Sequence, residues 1–165
     1  MRILFISPYY ENSNDGYVSR QLIKVLASKH ELVTRPIISD LPRIDTVEFE
    51  QYEKQLDSLD VIIQDAPAYR LSYYGKAKNI AIANWPTEFD YPSTVTARLN
   101  LMDEVWALNM DEINRLRKSK VNVPALIKNI SEILLLPNYI KIEMRLERKN
   151  NQLLIQHSHY SVILY

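Results

Sequence analysis

Polar and aromatic residues suited to binding a small ligand occur in four segments of the sequence, each directly after a short apolar run. The carboxylate of Glu88 can accept a hydrogen bond from a ligand hydroxyl or act as a general base, which makes Glu88 the candidate catalytic residue. Gly16 lets backbone amides approach a phosphate group at the start of a helix. The complete set of candidate ligand-binding residues is Asp15, Gly16, Tyr17, Gln64, Trp85, Glu88 and Asn109.

Several of these candidates also have a purely structural interpretation. Glu88 fits a solvated loop acid, and Gly16 fits a loop glycine used for its backbone freedom. Trp85 and Tyr91 can form an aromatic platform for a ligand, but partly buried loop aromatics are equally common. For Asn109, capping the helix that follows is a better interpretation than ligand binding.

The first 125 residues alternate short apolar runs with helical patterns, which is typical of a parallel α/β sheet. Helices are predicted over residues 18–29, 47–59, 92–102 and 111–119, with Asp15 capping the first of them. Strands are predicted over residues 2–7, 30–35, 60–64, 79–84 and 104–108, with a sixth starting within 123–127. The predicted fold class is therefore α/β, a Rossmann-like parallel sheet with helices on both faces.

This fold brings the candidate residues to one side of the molecule. The carboxyl ends of parallel strands meet at one edge of the sheet, and ligands bind there. Residues 7–17, 64–69, 84–91 and 108–112 all leave predicted strands at that edge. The sequence therefore predicts one ligand site built from these four loops.

Residues 129–165 lack this regularity and are assigned to an irregular carboxyl-terminal tail, separate from the domain formed by residues 1–128. Within the tail, residues 140–149 fit a charged helix and residues 153–155 fit a strand. The sequence ends on the apolar stretch 162–165, for which the pattern predicts no covering element. This tail is the start of a linker or the remnant of a second domain.

Composition excludes several function classes. The 165 residues carry 20 basic and 20 acidic side chains, so the balanced charge gives no general attraction for nucleic acid or an anionic membrane. The absence of cysteine excludes disulfides and thiolate metal sites. His157 and His159 have no third ligand nearby in the sequence, and we predict no metal. The opening MRILFISPYY lacks the apolar length of a signal peptide, so a cytoplasmic location is expected.

Ordered motifs run through residues 1–128. The sequence opens MRILFISPYY, continues with NDGYVSRQLIKVLASKHELVTR and LDVIIQDAP, and reaches an aromatic and Glu-containing loop at residues 84–90. A helix (92–102), a D-x-V-W strand (103–106), a helix led by Asn109, and a turn of the G-V-x-V-P kind (120–124) follow. In order and spacing this set resembles the amino-terminal domain of family-four glycosyltransferases of the GT-B fold.

The resemblance implies a retaining hexosyltransferase with two Rossmann-like domains, of which the first binds mainly the acceptor and the second binds the nucleotide sugar. It also implies catalysis without a bound metal and a Glu-x7-Glu pair in the second domain. The sequence departs from the family where a Gly-Gly pair is expected, since it has Asp15-Gly16, and where Ser is common, since it has Asn109. Glu104 and Glu112 have the Glu-x7-Glu spacing, but their places on a strand and a helix reject the match.

Because 165 residues leave no room for a second Rossmann-like domain, the expected function is an acceptor-side domain that is inactive alone. The expected partners are a glycan or lipid-linked acceptor and either a chain carrying the second domain or another copy of this chain. No cofactor is expected, since the nucleotide-sugar donor would bind only with a second domain. Membrane contact is at most peripheral, through a basic cluster formed by Arg115, Arg117, Lys118 and Lys120.

Two alternatives compete with this interpretation. The chain could be a non-catalytic interaction module that keeps the fold, with residues 129–165 mediating contact or self-association. A phosphoacceptor receiver domain is the more distant alternative. Asp65 follows the third predicted strand as a receiver requires, but the acidic pair expected after the first strand is missing.

Overall fold

The structure, a computed structural model, describes residues 1–45, 47–55, 58–83, 90–107 and 109–127 with their side chains, and the backbone of 146–149, 152–157 and 160–163. The chain forms two compact units, Met1–Leu134 and Leu135–Tyr165.

The first unit contains a six-stranded sheet in which every neighbouring pair of strands is parallel. The strand order is β2-β1-β3-β4-β5-β6. β3 is buried at all of its positions, as expected for a strand that is covered on both faces. The strands are β1 (Arg2–Ser7), β2 (Glu31–Pro36), β3 (Val61–Gln64), β4 (Lys78–Ile82), β5 (Glu104–Ala107) and β6 (Ala125–Ile127).

Helices cover both faces of this sheet. On one face, α1 (Asn14–Lys29) packs Leu22 and Ile23 into a core cluster that also contains Ile3 and Phe5 of β1. On the other face, α2 (Ser93–Leu99) and α3 (Met110–Lys118) share a second cluster with Val105 of β5. The predicted Rossmann-like α/β fold is thereby confirmed.

The prediction of a helix over residues 47–59 is wrong. The chain forms only a short 3-10 helix, Val47–Tyr52, whose single buried residue is Phe49. Beyond it the backbone is held by other parts of the fold, because Arg35 donates a hydrogen bond to the Lys54 carbonyl (2.6 Å). The Tyr9 hydroxyl likewise donates to the Glu53 carboxylate (2.6 Å). These contacts explain why the helix does not continue past Tyr52.

The second unit contains a three-stranded antiparallel sheet, β7 (Leu146–Lys149), β8 (Gln152–His157) and β9 (Tyr160–Ile163), in that order. The strand predicted over 153–155 is confirmed as part of β8, whereas the predicted helix is wrong over Leu146–Lys149. Lys149 pairs with Gln152, so two residues, both Asn in the sequence, separate β7 from β8. That is the length of a tight hairpin, which explains why pairing prevails over helix formation. The tail is thus more regular than the sequence predicts.

Within the described part of the chain, the structure contains no helix with the length and apolar character needed to cross a bilayer.

α3 ends in a Schellman C-cap that connects it to β6. The Val121 amide donates to the Leu116 carbonyl (2.9 Å), and the Lys120 amide donates to the Arg117 carbonyl (3.0 Å). Lys120 has a φ of 63°, in the left-handed region that glycine adopts without a steric penalty. Leu116 and Val121 are buried in the same cluster, which supplies the apolar contact of this cap.

We therefore expect Lys120→Gly to stabilise the protein by about 0.5–1 kcal/mol, since it relieves the left-handed strain at the cost of a more flexible unfolded chain. Arg117→Gly, in the exposed last turn of α3, is the matched control and should destabilise by about 1 kcal/mol. Urea denaturation of both variants measures the two changes. A Lys120→Gly variant that is less stable than the wild type would contradict this account of the turn.

Candidate functional site

The sheet has one topological switch point, between β1 and β3. The connection from β1 leads to β2 on one side, whereas β3 and the later strands extend on the other side. In open α/β sheets the two loops that leave such a point in opposite directions open a crevice at the carboxyl ends of the strands. We call this side of the sheet the carboxyl edge. Ser7 ends β1 there, and Asp65 directly follows β3.

The predicted ligand residues that the structure describes lie at the carboxyl edge but not all together. Asp15, Gly16 and Tyr17 lie in the first turn of α1, close to the switch point, with Asp15 and Tyr17 exposed and Gly16 buried. Gln64 is the last residue of β3, next to β1. Asn109 follows β5, three strand spacings or about 14 Å from β1. Trp85 and Glu88 lie outside the described residues, so binding and catalysis by them stay predictions.

The start of α1 differs from the predicted one. Ser13, not Asp15, is the N-cap, because the Ser13 hydroxyl accepts the Gly16 amide at 3.0 Å. Asp15 lies within the first turn, where its negative charge interacts favourably with the positive end of the helix dipole. The Asp15 cap prediction is therefore wrong by two positions, and Ser13 was the sequence signal that it overlooked.

Gly16 is required for close packing and not for backbone freedom. Its φ is not positive, so any residue could adopt its backbone conformation. A Cβ atom added there would lie 2.2 Å from the Glu11 carbonyl oxygen and 3.0 Å from that of Pro8. The loop after β1 thus lies directly against the first turn of α1. Because Ser13 already occupies the Gly16 amide, the structure offers no support for a phosphate cradle at this amide.

The loop after β1 is held in place by side chains from α1 and from the 3-10 helix region. The Arg20 guanidinium donates to the carbonyls of Tyr9 (2.8 Å) and Glu11 (2.9 Å). The hydroxyls of Tyr9 and Tyr10 both donate to one oxygen of Glu53, at 2.6 and 2.8 Å. These bonds fix the carboxyl end of β1 before any ligand binds.

Burial raises the pKa of Tyr9 far above its usual range, and the hydrogen bond to Glu53 raises it further. Burial also raises the pKa of Tyr10 to about 12, again with a second contribution from the hydrogen bond to Glu53. Both phenols therefore stay neutral donors throughout the physiological pH range.

Gln64 is buried, and its amide clamps the loop after β3. Its nitrogen donates to the Ser72 carbonyl (2.8 Å), and its oxygen accepts the Ser72 amide (3.0 Å). The described contacts of Gln64 are thus structural, and ligand binding by this residue stays a prediction.

Asn109 caps α3, as its structural interpretation predicts, since its side-chain oxygen accepts the Glu112 amide at 2.8 Å. Glu112 also accepts a hydrogen bond from the buried Tyr91 hydroxyl and forms an ion pair with Arg115 (2.8 Å). Burial raises the pKa of Tyr91 far above its usual range, with the Glu112 hydrogen bond as the next cause. This cluster anchors Tyr91, which follows segment 84–89, to α3.

A group that sequence reasoning did not select lies at the switch point itself. The Ser19 hydroxyl, one turn into α1, donates to the Asp65 carboxylate at 3.1 Å, and all of this contact is buried. Ser7 is fully buried beside it, and its hydroxyl has no hydrogen-bond partner among the described residues. The available signal was a serine that ends an otherwise apolar strand.

Neither a protein-family model nor a curated protein matches this sequence. The described residues also contain no group of three or more His, Cys, Asp or Glu side chains placed to hold a metal ion. What the site can do chemically is therefore decided by its own geometry. It offers hydroxyl and carboxylate groups, whose chemistry is suited to hydrogen bonding with a polar ligand.

We expect Gly16→Ala to destabilise the protein by about 1–3 kcal/mol, because the new methyl group overlaps the Glu11 carbonyl. A loss of stability would be informative, since alanine in a helix interior is otherwise favoured over glycine by up to ~1 kcal/mol. Gly75→Ala is the control, as a Cβ at Gly75 meets nothing within 4 Å, and it should stay within about 0.5 kcal/mol of the wild type. Thermal unfolding of both variants compares them. A stabilised Gly16→Ala protein would show that the loop is not packed as described.

The contribution of Tyr10 to the stability of the fold should depend on alkaline pH. The fold holds the pKa of Tyr10 at about 12, above the ordinary 10.0, so the neutral phenol stabilises the fold fully below pH 10. This contribution is lost as the pH rises through 12. The stability difference between the wild type and Tyr10→Phe should therefore shrink from pH 9 to pH 12 in urea titrations. Glu53→Gln should shift the tyrosinate absorbance step near pH 12, measured at 295 nm, to lower pH. An unchanged absorbance titration in Glu53→Gln would count against the shared hydrogen bond.

Proposed function

We propose that this chain is the acceptor-binding domain of a retaining GT-B hexosyltransferase, related to family four, that acts on a glycan or lipid-linked acceptor. The observation that carries the proposal is the agreement between the ordered motifs of residues 1–128 and the elements on which they fall. The D-x-V-W motif contributes β5, α3 begins directly after Asn109, and the G-V-x-V-P-type segment forms the turn into β6.

The turn at Lys120 is the most specific support. The family pattern has glycine at the first position of the turn, and this sequence has lysine. The backbone there nevertheless adopts the left-handed conformation that glycine favours. The glycine position of the family motif thus coincides with a left-handed backbone conformation in this chain, although the residue here is lysine.

The carboxyl edge has the chemistry that a sugar acceptor needs. Asp15 is exposed next to the switch point and can accept hydrogen bonds from sugar hydroxyls. Tyr17 in the first turn of α1 is 59% exposed, and Tyr69 in the short 3-10 helix after β3 is 72% exposed. Their rings offer apolar faces beside polar groups. Polar groups placed among apolar faces are typical of small-ligand sites.

Catalysis requires more than this edge. In the proposed family the nucleotide sugar and the carboxylates near it belong to a second Rossmann-like domain. The unit that the structure describes with side chains is a single sheet with its flanking helices. We therefore expect the 165-residue chain by itself to bind an acceptor without transferring a sugar to it.

The test is ligand-observed NMR with a panel of neutral mono- and oligosaccharides, together with transfer assays using UDP- and GDP-hexoses. Saturation transfer to some sugars is expected, without release of UDP or GDP. Glu88→Gln should weaken the sugar signal about tenfold, equivalent to one lost hydrogen bond to a charged group. Glu50→Gln, at an exposed residue of the 3-10 helix, should not change it.

Two results would contradict the proposal. Tight binding of a nucleotide sugar with turnover would show that the chain is a complete enzyme. Absence of any sugar binding would favour the alternative, an interaction module.

Three exposed side chains on the loops after β2 and β3 favour that alternative, namely Ile38, Leu41 and Tyr69. Sedimentation of the chain as a clean monomer would count against self-association through them.

A further inference from the structure

Ser7, Ser19 and Asp65 form a buried polar cluster under the switch point, on the face of the sheet covered by α1. Ile3 pairs with Val61 and Phe5 pairs with Ile63, and all four belong to the core on this face. Since side chains alternate along a strand, Ser7 lies on the same face as Phe5. The Asp65 amide donates to the Ile6 carbonyl at 2.8 Å, which places Asp65 beside Ser7.

The Ser7 hydroxyl is the unexplained member of this cluster. Its side chain is 0% exposed and has no hydrogen-bond partner among the described residues, whereas Ser19 donates to Asp65. Leaving a buried hydroxyl unpaired costs on the order of 1–3 kcal/mol, and native proteins rarely tolerate it. An unpaired group next to the crevice where this fold class binds ligands indicates that a ligand supplies the partner.

The surroundings decide which chemical group can do so. Two donors near the cluster are engaged, because the Gly16 amide binds Ser13 and the Arg20 guanidinium binds the carbonyls of Tyr9 and Glu11. Negative charge is concentrated there instead, with Asp65 in the cluster, Glu11 buried in the adjoining loop and Asp15 in the first turn of α1. These carboxylates would repel a phosphate, so a neutral hydrogen-bond donor is favoured.

We propose that Ser7 and Asp65 form a subsite for one hydroxyl group of an uncharged sugar and that this subsite excludes phosphorylated ligands. This inference depends on the proposed function, since it specifies the acceptor class at the same edge. The ligand hydroxyl donates to the Asp65 carboxylate and accepts the proton of the Ser7 hydroxyl. Because Ser7 is fully buried and Asp65 is only 6% exposed, the ligand contributes one hydroxyl group to this subsite and its ring stays outside.

The experiment is a titration of the 165-residue chain, followed by NMR, with methyl glucoside, methyl mannoside, inorganic phosphate and UDP. Ser7→Ala should weaken binding of the neutral glycosides about tenfold, the value of one hydrogen bond. Thr96→Val is the matched control. Thr96 carries the other buried hydroxyl without a partner among the described residues, but it belongs to α2, and its loss should change affinity less than about twofold. Urea denaturation confirms that both variants are folded.

The outcomes separate the inference from the proposed function. Equal glycoside affinity in Ser7→Ala and the wild type overturns the inference, with a buried water then pairing Ser7, and leaves the acceptor function intact. Binding of phosphate or UDP that depends on Ser7 also overturns the inference. Failure of the wild type to bind either glycoside, while larger neutral oligosaccharides bind independently of Ser7, overturns only the inference. Failure of all neutral sugars overturns both.

Discussion

The close approach of α1 to the loop after β1 is the constraint on which the carboxyl edge depends. At Gly16 there is no room for a side chain, because the Glu11 and Pro8 carbonyls occupy the space that a Cβ would need. Arg20 holds that loop through hydrogen bonds to its carbonyls, and Ser13 caps the first turn of the helix beside it. Only with α1 at this distance from the sheet can the Ser19 hydroxyl reach Asp65 at the end of β3.

That packing also determines the electrostatic character of the site. A helix amino terminus normally attracts anions through its unpaired amides. Here Ser13 binds the Gly16 amide, and the side chain of Asp15 already provides a negative charge in the first turn. Asp65 and Glu11 are two further acidic residues of this edge, and both are buried. The same glycine that could admit a phosphate in an open loop therefore lets α1 pack against this one, and the proposed preference of the edge for neutral donor ligands rests on that packing.

Much of the first unit was predictable because its strands are buried on both faces. A strand without solvent contact must be nearly continuous in apolar residues, so the run RILFIS predicts β1 at the bounds that the structure shows. The 3-10 helix was not predictable from periodicity, since Phe49 and Tyr52 fit a helix as well as a single turn. What ends it there is a set of contacts from Tyr9 and Arg35, which are distant in the sequence. The three-stranded sheet of the second unit escaped prediction for the same reason, because pairing between strands is not visible in the local pattern of any one of them.

The candidate site was predictable only as a location. Strand alternation predicts that the loops converge, but whether a side chain binds a ligand or the protein depends on neighbours that the sequence does not show. Gln64 was selected for its position and binds Ser72, whereas Ser7 was not selected and has a hydroxyl without a partner among the described residues.

The motifs that carry the family resemblance have mainly structural roles. Asp103 accepts the Asn79 amide at the start of β4, Asn109 caps α3, and Lys120 closes the turn into β6. Such contacts specify the scaffold, and a scaffold of this kind supports many unrelated functions. Under the proposed function, sugar binding would therefore depend on groups that the scaffold does not need for itself. Among the described residues the Ser7 hydroxyl is such a group, because it is buried at the switch point and takes part in no hydrogen bond of the fold.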